Sequence, residues 1–170
     1  MPLKKKDCRG GFTLVEVLVV VVIVVTITMF AVPSYKKSQA RAQYMSASGV
    51  LVELATATQM LMEEYPDLEI SSAAFSSNTP DYSSAPTAST AAAWMLGKQY
   101  LGKVDFQSDG KYKGYNYAFS TTGKPVCSST CKRDAAADAL ACMENKDHTI
   151  DAYKCAWVSR EDGMLHNSNG

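Results

Sequence analysis

Few side chains in this 170-residue sequence are placed to do chemistry. Four cysteines fall toward the C-terminus, at Cys127, Cys131, Cys142 and Cys155, and a fifth, Cys8, stands near the start. Thiols can hold a metal or oxidise in pairs. The metal reading fails on spacing: there is no Cys-x2-Cys pair, and His148 and His166 keep no regular interval from the thiols. Asp134, Asp138, Asp147 and Asp151 form no oxygen-ligand loop for calcium and read as surface charges. His148, after Asp147, reads as a turn residue and His166 as a solvated tail residue. The other group with chemistry is Glu16, the one charge in the run FTLVEVLVVVVIVVTITMFAV over residues 12–32. A carboxylate in the apolar interior of a membrane costs about 2.5–3.5 kcal/mol on insertion scales, so it needs a cationic partner. Motifs for a serine nucleophile, a phosphate loop, a zinc protease or a dinucleotide site are absent. The expected protein is therefore not an enzyme, with no cofactor and no metal.

The element that must position Glu16 is a helix. Twenty-one residues with one charge span about 30 Å at 1.5 Å per residue, the thickness of a bilayer core. Val and Ile are mediocre helix formers in water, but in lipid the backbone must satisfy its own hydrogen bonds. The run is too long for a secretory signal peptide, and no small-x-small site closes it. As an ordinary anchor it has four basic residues before it and Lys36, Lys37 and Arg41 soon after, so charge gives a weak orientation. Neither reading accounts for Glu16.

A third reading does. The stretch Gly10-Gly11-Phe12-Thr13-Leu14-Val15-Glu16, after a basic leader, resembles the class III signal of type IV pilins and their pseudopilin relatives. The resemblance implies cleavage after Gly11 by a prepilin peptidase, N-methylation of Phe12, and loss of Cys8 with the leader. It places Glu16 fifth in the mature chain and Pro33 at mature position 22, where many type IV pilins carry proline. It also implies that Glu16 pairs with the Phe12 amine of a neighbouring subunit, setting the axial stagger of a filament. Elementary electrostatics asks only for a partner. Cleavage creates an amine both in the same chain, four residues away, and in a neighbour; the choice of the neighbour is what the resemblance implies. Pro33 removes a backbone donor and is expected to kink or loosen the helix nearby. The resemblance adds that this region can lose helicity in a filament.

Beyond Pro33 the helical pattern continues. Tyr44, Ala47, Leu51, Leu54, Thr58 and Leu61 follow steps of 3, 4, 3, 4 and 3, one face of an amphipathic helix. Val50, Val52, Ala55, Ala57, Met60 and Met62 are expected to widen that face. Pro66 ends the helix at Tyr65. A helix over residues 12–65 would be about 80 Å long, more than a compact domain buries, so its first half must meet lipid or other subunits. Lys36, Lys37 and Arg41 read as interfacial residues that snorkel to the headgroups.

The remainder reads as a polar head. Of residues 71–93, 17 of 23 are Ser, Thr or Ala, which predicts a surface loop, open in principle to O-glycosylation. Ala91–Gln99 suggests a short helix. Strands are predicted at 114–121, 139–143 and 153–158, with a possible start at Val104-Asp105-Phe106. Three or four antiparallel strands on one long helix make an α+β fold, the fold the resemblance also implies. Four cysteines allow three pairings. Spacing favours Cys127–Cys131 with Cys142–Cys155, and the resemblance implies a bridge that involves Cys155.

The predicted organisation is a leader at 1–11, a membrane and filament-core half-helix at 12–33, an amphipathic half at 34–65, and a head at 66–170 whose variable loop covers 66–103. Seventeen Lys and Arg balance seventeen Asp and Glu in the precursor. Without residues 1–11 the balance becomes 13 basic against 16 acidic, which argues against a strong grip on nucleic acid. The resemblance implies a structural subunit of a type IV pilus serving adhesion, twitching motility or DNA uptake. Alternatives are a pseudopilin of type II secretion and a minor tip pilin that binds DNA or a surface ligand. The implied partners are copies of itself and other pilins, the prepilin peptidase, an inner-membrane assembly platform and inner-membrane lipid. The implied location is the bacterial inner membrane, then an extracellular fibre or a periplasmic pseudopilus.

Overall fold

A computed structural model describes residues 12–75, 79–102, 114–126, 138–146 and 155–167. The leader with Gly11, the expected start of the sheet at 104–106, and Cys127, Cys131 and His148 lie outside the described residues. The chain divides into two compact units, Met1–Gln39 and Ala40–Gly170.

Helix α1 runs over Leu14–Glu64. It passes Pro33 without interruption, so no loss of helicity accompanies the missing donor in the isolated chain. The helix ends one residue short of Tyr65, as expected ahead of Pro66. All six residues of the 3–4 stripe, from Tyr44 to Leu61, are buried. Val50, Ala55 and Ala57 widen the stripe as expected, and Met62 packs at its margin. Val52 and Met60 do not: both are exposed. Periodicity locates the centre of an apolar face but not its width.

The buried stripe packs on a five-stranded antiparallel sheet in the order β1-β2-β3-β4-β5, formed by Ala73–Phe75, Tyr115–Phe119, Ala139–Asn145, Cys155–Ser159 and Leu165–Asn167. The fold is thus α+β, a long helix against a small open sheet. The three central strands coincide with the segments predicted at 114–121, 139–143 and 153–158. The two edges were not anticipated. β1 lies inside the Ser/Thr/Ala-rich stretch read as loop, and β5 inside the tail read as solvated. Each has three residues, too few to show alternation. A turn with Gly163 at φ 67°, a left-handed backbone that suits glycine, leads from β4 into β5.

Register explains which sheet face meets α1. Tyr117 stands opposite Met143, which stands opposite Ala156; Phe119 stands opposite Ala141, which stands opposite Val158. These side chains join the core with α1. Side chains alternate faces along a strand, so Ala118, Cys142, Glu144 and Cys155 point the other way. They are buried all the same, so both sheet faces are covered there. The segment after α1 is tied to the sheet by buried hydrogen bonds. The Ile70 N–H donates to Thr121 Oγ1 at 2.8 Å, and Ser120 Oγ donates to the Ile70 carbonyl at 3.0 Å.

Helix α2, Ala91–Gly97, lies close to its predicted range. Its Trp94 is 0 % exposed and meets Tyr65 and Tyr100 edge-on, at 5.3 and 5.7 Å between ring centroids. The Trp94 indole N–H donates to the Ser83 carbonyl at 3.1 Å. The Tyr100 hydroxyl donates to the Glu64 carboxylate at the end of α1, which holds the Tyr100 phenol above its ordinary pKa.

Burial pushes the Tyr115 phenol up to about 12, with Tyr44 beside it adding to the effect. A phenol whose folded pKa is raised stabilises the fold fully below its unfolded value of about 10. That contribution disappears as pH rises through 12, and amounts to about 2–3 kcal/mol. The expected result is alkaline unfolding between pH 10 and 12, followed by circular dichroism and tyrosinate absorbance, that Tyr115→Phe moves to higher pH. An unchanged alkaline midpoint in Tyr115→Phe would contradict this.

Candidate functional site

The first turn of α1 is built by its own sequence. Thr13 precedes the helix, and its Oγ1 accepts the Glu16 N–H at 3.3 Å, while its carbonyl accepts the N–H groups of Glu16 and Val17 at 3.1 and 3.3 Å. Thr-x-x-Glu is the sequence of a capping box, and a carboxylate in the first turn also suits the helix dipole. Sequence reasoning took Thr13 only as part of a signal. The capping pattern was legible in Thr13-Leu14-Val15-Glu16 and gives Glu16 a second, purely local role.

The surface around Glu16 is apolar on every side. Sixteen large hydrophobic residues from Phe12 to Val32 are exposed, including Phe12 at 80 % and Phe30 at 81 %. Transfer of such side chains out of water is worth about 1.5–3 kcal/mol each when complete. Even half-complete burial of the set gives roughly 12–24 kcal/mol, comparable to or above the total stability of an ordinary domain, about 5–15 kcal/mol. This surface therefore belongs in lipid or against other helices. Thr26 and Thr28 are made compatible with that setting by donating their hydroxyls to the carbonyls of Ile23 and Val24, at 2.8 and 2.7 Å. Among the described residues this is the one helix long and apolar enough to cross a membrane.

Within that surface the Glu16 carboxylate is exposed and makes no ion pair among the described residues. Phe12 begins the described chain, four residues before Glu16, and its nitrogen is a peptide nitrogen in the precursor. Pro33 lies inside α1, and the Ser34 hydroxyl donates to the Phe30 carbonyl at 3.4 Å beside it. Lys36, Lys37 and Arg41 are all exposed, with no ion pair among the described residues.

The head carries a different kind of cluster. His166, expected to be solvated, is half-buried instead. Its ring stacks on Trp157 at 5.9 Å and 14°, and its Nε2 lies 3.1 Å from Asp162 Oδ2. The register of β4 against β5 brings Trp157 and His166 together, a pairing invisible without β5. The Met164 N–H, then the Ser159 hydroxyl and His166, hold the Asp162 carboxyl below its usual range. The group is a side-chain clamp on an edge strand. No set of three or more His, Cys, Asp or Glu arranged for a metal occurs among the described residues.

No curated protein matches this chain, and no solved structure does. One family model does match, from just before Phe12 through the exposed apolar part of α1. Residues 6–32 match the prokaryotic N-terminal methylation motif, so the chain carries a prepilin-type N-terminus, consistent with the non-catalytic type IV pilin and pseudopilin family of structural subunits.

Proposed function

We propose that this chain is a type IV pilin: a single-pass precursor in the inner membrane, cut after Gly11, methylated at Phe12, and polymerised through α1 into a surface fibre. The observation that carries this reading is the Glu16 carboxylate, without an ion-pair partner among the described residues on a wholly exposed apolar helix. It lies inside the residues that match the methylation motif. Cleavage supplies the missing cation at Phe12. The Glu16 of one subunit then pairs with the Phe12 amine of the next, and the exposed apolar side chains of the two helices bury one another. Pro33 offers a weak point at which the helix can yield under load. The prepilin peptidase and an assembly platform are the partners this scheme requires, and adhesion, twitching motility or DNA uptake are the uses of such a fibre. Imaging of sheared cell surfaces for fibres that contain this chain tests the assignment. Fibres support a pilin; a processed chain confined to the periplasm would replace it with a secretion pseudopilin.

Disulfides belong to the same reading. Cys142 and Cys155 are buried on neighbouring strands in the disulfide-bonded form. Cys142 stands opposite Trp157, and Cys155 opposite Glu144, so the two cysteines are diagonal neighbours. Diagonal Cα atoms are about 7–8 Å apart in such a ladder, beyond the usual reach of a disulfide. Spacing favours Cys127–Cys131 with Cys142–Cys155; on the ladder geometry we propose instead that Cys142 and Cys155 each bond to Cys127 or Cys131. Non-reducing peptide mapping is expected to link the 127–131 segment to both strands. A Cys142–Cys155 peptide, or four free thiols, would refute it.

A further inference from the structure

We infer that the head carries a binding site for a neutral pyranose sugar in the cleft beside α2, a role independent of whether the chain polymerises. The cleft holds about 450 Å³ and is lined by Pro80, Tyr82, Leu96, Gln99 and Leu101, with Gly97 and Gly102 in its wall. That volume lies within the range of small-molecule sites.

Gln99 is the pointer. Helix α2 ends with the Tyr100 N–H donating to the Met95 carbonyl at 3.0 Å and the Gln99 N–H to the Leu96 carbonyl at 3.2 Å. In this type of ending the residue after the cap is left-handed and is ordinarily glycine. Here it is Gln99, at φ 61°, the only non-glycine residue with positive φ among the described residues. A β-carbon in that conformation is sterically unfavourable. The fold gains nothing visible in return, because the Gln99 side chain is exposed and makes no hydrogen bond among the described residues. It lines the cleft instead.

The walls are preformed. Gly97 sits so close to the Asp81 carbonyl that an added β-carbon would lie 2.0 Å from it. The Asp81 N–H is bonded to the Ala93 carbonyl at 2.8 Å, and the Gly102 N–H to Glu53 Oε1 at 2.8 Å. Against this frame Tyr82 is 80 % exposed, with its hydroxyl making no hydrogen bond among the described residues. Among the described residues the lining holds no ionisable group apart from the Tyr82 phenol, which favours a neutral ligand. Lys98, the nearest cation in sequence, is drawn over the Trp94 ring at 5.1 Å and toward Glu64 at 3.9 Å. An amide that both donates and accepts suits paired hydroxyls. An open aromatic ring with apolar neighbours suits the C–H face of a sugar.

The test uses the full-length chain in detergent and saturation-transfer NMR. The probes are the methyl pyranosides of glucose, galactose and N-acetylglucosamine, with N-acetylneuraminic acid as the anionic control. At least one neutral glycoside is expected to bind in the millimolar range, and the anionic sugar not to bind. Gln99→Gly is expected to raise the melting temperature by about 2–4 °C while weakening binding about tenfold. Tyr82→Ala, a surface change, is expected to weaken binding similarly without altering the melting temperature. Absence of binding by all three neutral glycosides, equal binding of the anionic sugar, or full binding in both variants overturns the proposal.

Discussion

Cells that make the Glu16→Val variant are expected to process the chain normally and to lose its fibres. The substitution keeps the bond to Thr13 Oγ1, because it is made by the backbone N–H of residue 16. From the helix start it removes only a first-turn charge worth about 0.3–1 kcal/mol. It also makes the membrane span easier to insert, since the carboxylate that costs about 2.5–3.5 kcal/mol is gone. What it removes is the partner for the Phe12 amine of the adjacent subunit. Leaving one member of a buried ion pair alone costs about 3–5 kcal/mol. Applied at each added subunit, that is a drop of about 10²–10⁴ in the equilibrium constant for elongation. The measurement is the yield of sheared fibres beside the amount of processed protein in the membrane. Wild-type fibre yield would remove Glu16 from the assembly contact and leave it only its local place in the first turn.

Trp94→Ala is expected to destabilise the head by about 3–5 kcal/mol. Trp94 is fully enclosed, touches two tyrosine rings edge-on, and ties the 81–84 segment to α2 through its indole N–H. Tyr65 follows the end of α1 and Tyr100 follows the end of α2, so the indole joins the long helix to the short one. Domains of this size hold about 5–15 kcal/mol in total, so the loss takes a large share of it. Urea unfolding of the detergent-solubilised chain, followed by circular dichroism, reads the effect. Trp94→Phe, which keeps a ring, should cost markedly less. A Trp94→Ala loss under 1 kcal/mol would mean that the aromatic cluster does not hold the α2 region on the head.

The extent to which this fold was legible follows from what each segment packs against. α1 was readable because its inner face meets one continuous core, and the 3–4 spacing from Tyr44 to Leu61 records that contact. Val52 and Met60 were misplaced because an apolar residue on a helix does not say whether its partner lies inside the chain. The central strands were readable as apolar segments because they are buried, one face against α1 and much of the other as well. β1 and β5 are short edges, and their pairing is dictated by neighbours far away in sequence. His166 looked solvated for that reason, since Trp157 reaches it only through the β4–β5 register. The N-terminal motif was the most legible part, because it is carried by a linear segment, residues 6–32. Its geometry added one thing that the signal concealed: Thr13 and Glu16 also start the helix.

The central claim is that the chain is a precursor whose new N-terminus at Phe12 is the point of assembly. Intact mass and N-terminal sequencing of the membrane-extracted protein test it most directly. The account predicts a chain that begins at Phe12, lacks residues 1–11, carries one added methyl group on its amine, and is not produced when Gly11 is substituted. A protein that begins at Met1, or cleavage that persists after Gly11 is substituted, would contradict it.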